Sequence, residues 1–265
     1  MRETCTYKII HRNAEIEVVA EVKHQGPDWL LCMHGIQSNK ELFKELLQQP
    51  FFASFSLMAV DLIGFGKSSK PVDFSYDIQD QANIVEEIVK QIGIQRLHII
   101  GHSLGGMVAI LMLDPLREAI QSFINMEGNL VLADCGLSKE VADQSFAEFQ
   151  NQYEEIKSKI RNSKTAGCIE RAIWMNDIPD FAFYKTSESI VRWSSTGKLL
   201  QMFENAQCRR LYIYGSDNFK KADCLSKTIA RSEIPNAGHF MLQSNPPACY
   251  RAIEDFLLEG NSTKL

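Results

Sequence analysis

Leu97-His98-Ile99-Ile100-Gly101-His102-Ser103-Leu104-Gly105-Gly106-Met107-Val108-Ala109 decides how the rest of the chain is read. Its first four residues form a short apolar run of the kind that makes a buried strand, and Leu104 to Leu113 reads as a helix ended by Pro115. Between them lies Gly101-His102-Ser103-Leu104-Gly105, a Gly-x-Ser-x-Gly turn. A serine hydroxyl is a weak nucleophile until a base takes its proton, and the base must reach the oxygen unobstructed. A sharp strand-to-helix corner provides that access, with glycines where side chains would collide. Ser103 is the candidate nucleophile.

The alternation extends outward in both directions. Upstream, Thr6 to Ile10 and Ile16 to Val22 read as a hairpin, and Trp29-Leu30-Leu31-Cys32-Met33 as a strand covered on both faces. Ser38 and Glu41 have capping-box spacing, which predicts a helix carrying Leu42, Phe43, Leu46 and Leu47 up to Pro50. Phe55 to Val60 is the next strand and Asp61-Leu62-Ile63-Gly64-Phe65-Gly66-Lys67-Ser68 a tight turn, in which Asp61 and Ser68 are expected to bond local backbone. Ile78, Ala82, Val85, Ile88, Val89 and Ile92 then recur at helical spacing before Gly93. Downstream, Phe123 to Met126 is a strand. From Val131 to Gln207 helical stretches such as Ser138 to Ile160 and Ile190 to Phe203 replace the alternation. Strand character resumes at Arg210-Leu211-Tyr212-Ile213-Tyr214-Gly215 and near Ala230 to Ile234, and Pro246 to Leu258 reads as a closing helix. The expected architecture is α/β, a mostly parallel sheet with helices on both faces. Residues 1–130 and 207–265 make its core, with 131–206 inserted as a helical lid.

Composition narrows the function classes. The 265 residues are 45% hydrophobic and 23% charged with a net charge of -5. Lys and Arg are scattered, so no basic footprint for nucleic acid stands out. No apolar run is long enough for an integral membrane segment, and the start, Met1-Arg2-Glu3-Thr4-Cys5, lacks the pattern of a signal peptide. Seven cysteines without a Cys-x-x-Cys pair argue against a zinc site and a disulfide framework, making a reduced, cytoplasmic setting the expectation. The oligomeric state is open.

With these features in order, the chain resembles the α/β-hydrolase family, particularly its compact lid-bearing members. His34-Gly35-Ile36 is similar to that family's oxyanion loop, Asp61 to Ser68 to its Asp-x-x-Gly-x-Gly-x-Ser turn, and Gly238-His239-Phe240 to its terminal histidine. The resemblance implies that the backbone amides of Ile36 and Leu104 form an oxyanion hole, stabilising charge that develops on a substrate carbonyl.

Of the six histidines, His11, His24 and His98 read as structural, and His34 and His102 as shaping their loops. His239, arriving from the far end of the sheet, is the candidate base. A base histidine needs a carboxylate to fix its tautomer, and chain order in this fold is serine, acid, histidine. Where the family usually has an aspartate, three residues after a glycine, Gly215-Ser216-Asp217-Asn218 presents Asn218, with Asp217 one place early. The alternative follows the preceding strand: Phe123-Ile124-Asn125-Met126-Glu127 ends on Glu127, similar to the glutamate of some haloalkane dehalogenases. Glu127 is favoured and Asp217 is the alternate.

The implied activity is that of a serine hydrolase, carboxylesterase-like, cleaving an ester-type bond (carboxylester, thioester or lactone) of a small, partly apolar substrate through an acyl-enzyme. Nothing in it calls for a cofactor or a metal. The competing readings are a ligand receptor on the same fold and a carbon-carbon bond hydrolase. Trp174, Phe181, Phe183, Tyr184, Trp193, Met202 and Phe203 either line a pocket or pack the lid.

Overall fold

The computed structural model describes residues 2–259, so Met1 and residues 260–265, the two ends of the expected core, lie outside the described residues. Strands β1 (Glu3–His11) and β2 (Ala14–Lys23) pair antiparallel through a two-residue turn, Arg12-Asn13. Both turn residues have positive φ, 48° and 66°, as a turn matched to strand twist demands. β3 (Trp29–Met33) and β4 (Ser56–Val60) are buried at every position. Helix α1 (Ile78–Ile92) starts at Asp77, whose side chain accepts from the Gln79 amide, and stops at Gly93 in the left-handed conformation. Then come β5 (Leu97–His102), α2 (Leu104–Met112) and β6 (Ile120–Met126).

Between β6 and β7 the chain forms α3 (Gly136–Ala142), α4 (Phe146–Arg161), α5 (Cys168–Met175), α6 (Asp180–Ser194) and α7 (Lys198–Asn205). β7 (Arg209–Gly215), a 3-10 segment Ser216–Ala222, β8 (Ala230–Ile234), α8 (Met241–Ser244) and α9 (Pro246–Glu259) complete the chain. No helix of the described residues is long and apolar enough to cross a membrane. All seven cysteines are free thiols.

The eight strands lie in the order β1-β2-β4-β3-β5-β6-β7-β8, antiparallel through the first three and parallel from β4 onward. Side-chain alternation feeds two cores. Leu31 and Met33 of β3, Ile99 of β5 and Phe123 of β6 face α1, α2 and the inserted helices. Leu30, Cys32, Ile100 and Ile124 face the Leu42–Phe55 region and α9. Fully apolar strands are the consequence of burial on both faces. Strand order reverses between β3 and β5, and the crevice beyond their carboxyl ends is where open α/β sheets place ligands. The loop after β3 and the turn after β5 meet there.

Three local expectations need correction. Residues 40–54 form three 3-10 segments, Lys40–Phe43, Leu46–Gln48 and Pro50–Ser54, instead of one helix. The cap is Asn39, because the Ser38 hydroxyl is committed to Gly35. The stretch Ser138 to Ile160 is broken by a new start at Ser145, which forms a capping box with Glu148. Ile190 to Phe203 is broken at Gly197, whose φ of 71° is left-handed.

The Asp61 turn does more than bond local backbone. Asp61, fully buried, accepts from the amides of Lys40 and Lys67 and forms an ion pair with Lys40 Nζ at 2.8 Å. Ser68 Oγ donates to the Asp61 carbonyl and accepts from the Val19 amide, tying the turn to β2. Removing one member of a buried pair leaves the other charge uncompensated. Lys40→Met is therefore expected to lower unfolding free energy by roughly 3–5 kcal/mol. Urea unfolding checks it; a loss below about 1 kcal/mol, the range of a surface pair, contradicts it.

Candidate active site

Ser103 occupies the corner between β5 and α2 with φ 53° and ψ -117°, a conformation that L residues adopt only when their surroundings hold them there. Its amide donates to the Met126 carbonyl of β6. The flanking glycines are needed because the backbones touch. A Cβ on Gly101 would lie 2.6 Å from Gly105 O, and one on Gly105 would lie 2.2 Å from Met33 O. Close approach of α2 to β3 sets the height of the corner.

The loop after β3 is held by neutral groups. His34 is fully buried, and burial pushes its pKa down. Its Nε2 accepts from the Leu62 amide at 3.0 Å, so Nδ1 carries the hydrogen and donates to Gly35 O at 2.8 Å. The Gly35 amide donates to Ser38 Oγ, and the Gly105 amide to His34 O. Between these two occupied donors, the amides of Ile36 and Leu104 have no partner among the described residues. Leu104 opens α2, where an amide lacks an intrahelical acceptor.

His239 lies in the loop between β8 and α8, and its Nδ1 is 2.8 Å from Glu127 Oε2. Glu127 directly follows β6, at φ 48° and with no exposed surface. It also accepts from the Gly215 amide at 2.9 Å and from Asn218 Nδ2 at 3.1 and 3.0 Å, and Lys221 Nζ lies 3.6 Å away. Burial pushes the Glu127 carboxyl up, but the hydrogen bond and charge of His239, the charge of Lys221 and the Gly215 amide outweigh it and hold the group at about 2. An ionised carboxylate only accepts, so the bond assigns a hydrogen to His239 Nδ1, and in the neutral imidazole that tautomer has its lone pair on Nε2. Asp217 sits elsewhere. It borders a cavity with His239, but its amide is its link to this loop, donating to Ala237 O.

His102 holds the backbone of His239 and packs beside its ring. Its Nε2 bonds the His239 carbonyl at 2.9 Å, and the two rings are 4.8 Å apart. Burial, then the nearby charge of His239, lowers the His102 pKa to about 3, so it is a neutral donor.

Ser103 and His239 border one cavity of about 230 Å³ together with Ile36, Gln37, Asn129, Leu137, Asn218 and Lys221. No hydrogen bond joins Ser103 Oγ to His239 among the described residues; such bonds often tighten only when substrate is bound. A second cavity, about 450 Å³, borders His239 on the side of Phe240, Arg171 and Ser244. None of the seven residues singled out from the sequence within 131–206 lines either cavity. Phe183 and Tyr184 pack with Phe149, and Phe203 packs against Phe123 and Tyr212. Sequence reasoning missed Asn218 as a clamp on Glu127, and it missed Lys221 and Arg171. The first two come from the 3-10 segment after β7, which has no periodicity to announce it.

A family model described as alpha/beta hydrolase fold matches residues 28–167. Among curated proteins, the probable lysophospholipase BODYGUARD 3 of Arabidopsis thaliana is 35% identical over 85 residues, 31% of this chain and 17% of that protein. Lipase 1 of Psychrobacter immobilis is 32% identical over 94 residues, 35% of this chain and 29% of that protein. The matched stretches thus span less than a third of these relatives. Among solved structures, a thermophilic esterase from Thermogutta terrifontis superposes with a TM-score of 0.76 at 18% identity, covering 97% of this chain and 99% of that one, a likeness of fold.

The buried neutral histidines set a pH dependence. Below the ordinary histidine value of 6.5 the unfolded chain binds a proton that His102 refuses until about pH 3, so stability falls as pH drops through that window. Glu127 adds a second loss as pH falls from its ordinary 4.5 toward 2. Between pH 7 and 5 the melting temperature of wild type is expected to drop more than that of His102→Asn. Equal drops would show that His102 is protonated in the fold.

Proposed function

The chain belongs to the α/β-hydrolase fold family, and we propose that it acts there as a serine hydrolase, cleaving an ester-type bond of a small substrate through an acyl-enzyme. The observation that carries this reading is the 2.8 Å bond from His239 Nδ1 to the buried Glu127 carboxylate, in a loop that shares a cavity with the Ser103 corner. Ser103 is the nucleophile, His239 the base and Glu127 the acid. The lipase and esterase among the similar proteins point to ester chemistry by name.

Each step uses groups already described. Ser103 Oγ attacks the carbonyl carbon while its proton passes to His239 Nε2. Glu127 stabilises the imidazolium that forms. The carbonyl oxygen gains charge between the amides of Ile36 and Leu104, a donor of this kind being worth about 3 kcal/mol in the transition state. Collapse expels the alcohol, which takes the proton from Nε2 and leaves the acyl group on Ser103. Water then attacks the acyl carbon, giving its proton to Nε2. The acid departs and the proton returns to Ser103.

The Ser103 cavity, about 230 Å³, is smaller than the 300 Å³ at which drug-sized ligand sites begin. With Gln37, Asn129 and Lys221 beside Ile36 and Leu137, it suits a short acyl group with a polar end better than a fatty chain. Helices α3 to α7, which supply Leu137 and Arg171 to the cavity walls, act in this reading as the lid.

Wild-type protein is expected to react with a fluorophosphonate probe, and Ser103→Ala and His239→Ala to lose the label. Label persisting in Ser103→Ala removes this nucleophile; an unlabelled wild type favours a receptor. With a short-chain ester, Glu127→Gln is expected to lower kcat by up to about 10⁴-fold, as loss of a triad acid does. Asp217→Asn is expected to retain activity. The reverse order transfers the acid role to Asp217.

A further inference from the structure

Arg171 is a buried cation with no acid in ion-pair contact among the described residues; the charge of its chain neighbour Glu170 offsets its burial only in part. The residue is 4% exposed, and burial lowers its pKa. Its hydrogen-bond partners are all neutral: Nε donates to Gly167 O at 3.3 Å, Nη1 to Gln37 Oε1 at 3.0 Å and Nη2 to Thr165 Oγ1. The guanidinium carbon sits 3.8 Å from the centre of the Phe240 ring. No carboxylate lies within ion-pair distance among the described residues. Buried charges are ordinarily paired, since the attraction of a partner offsets lost hydration. Here neutral acceptors stand where a carboxylate would ordinarily be.

The place of this cation in the site is specific. Gln37 follows Ile36 in the loop after β3, and Phe240 follows His239, so Arg171 on α5 touches both loops of the candidate site. It lines the 450 Å³ cavity together with His239, Thr165, Ser244 and Lys164. That cavity borders His239 but not Ser103, whereas the smaller one borders both. In an acyl transfer the histidine protonates the leaving oxygen, which places the leaving group on the histidine side and the acyl group over the serine. Asp217 also borders the larger cavity. It supplies negative charge that an anion would avoid, which confines the anion to the Arg171 end.

Resting on the serine hydrolase reading, we infer that the substrate carries an anionic group, of carboxylate or phosphate class, on its leaving alcohol, and that Arg171 binds it. The anion replaces Gln37 Oε1 as acceptor for the guanidinium, converting a bond to a neutral amide into an ion pair. Arg171 is then a specificity-determining residue, positioned by its stacking on Phe240.

Two acetate esters with the same ring test this: 4-acetoxybenzoate, whose leaving group is an anion, and its methyl ester, whose leaving group is neutral. Wild type is expected to show the higher kcat/KM with the anionic ester. In Arg171→Met that value should fall about 10- to 100-fold, the range for losing a charged hydrogen bond, while the methyl ester changes less than about threefold. Arg171→Lys should recover part of the preference. Wild type without a preference, or equal losses for both esters in Arg171→Met, overturns the inference and leaves Arg171 as a clip between α5 and the two loops. Fluorophosphonate labelling separates the two levels. If wild type and Arg171→Met are both labelled at Ser103 while the charge preference is missing, only the anion site fails; if wild type is unlabelled, the serine hydrolase reading fails and the anion site with it.

Discussion

The carboxylate of Glu127 is the interaction on which the site depends. It is inaccessible to water, held by the Gly215 amide, the Asn218 side chain and His239, and accompanied by Lys221. An ionised carboxylate survives in such a place only when donors replace water, and three donors with a nearby lysine cation do so here. Because the carboxylate can only accept, it dictates the tautomer of the neutral His239 ring, with the hydrogen on Nδ1, and in the proposed reaction Nε2 is the base. Backbone geometry, side-chain burial and proton position are therefore one constraint.

That constraint draws the fold together at one end of the sheet. β6 delivers Glu127 on a left-handed residue, β7 delivers the Gly215 amide, and the turn after it delivers Asn218 and Lys221. β5 delivers Ser103 on a strained corner that needs bare glycines against β3. His102, one residue earlier, bonds the carbonyl of His239. Parallel strands ending in a common plane make such a meeting possible, since each loop at their carboxyl ends points into the same crevice.

Much of this was legible in the sequence. The apolar runs Trp29 to Met33, Phe55 to Val60 and Leu97 to Ile100 marked strands buried on both faces, and the structure places them there. The 3.6-residue spacing from Ile78 to Ile92 marked α1 within a residue. Other features were hidden by short-range competition. Asn39 outcompeted Ser38 as a cap because the Ser38 hydroxyl was bound to Gly35, three residues earlier, and helix breaks at Ser145 and Gly197 lay inside amphipathic runs that looked continuous. Long-range pairs left no pattern at all. Lys40 with Asp61, Asn218 with Glu127 and Arg171 with Gln37 join residues 21, 91 and 134 positions apart. Asn218 is instructive, because it occupies the place where the resembling family usually carries its acid and instead donates to an acid supplied by another strand.

The pairing of Glu127 with His239 is open to direct observation by proton magnetic resonance of the imidazole. A hydrogen on Nδ1 shared with a buried carboxylate gives a resonance far downfield of the amide envelope. This signal is expected in wild type and in Asp217→Ala, and is expected to disappear in both His239→Ala and Glu127→Ala. A signal that persists in Glu127→Ala and vanishes in Asp217→Ala would contradict that pairing.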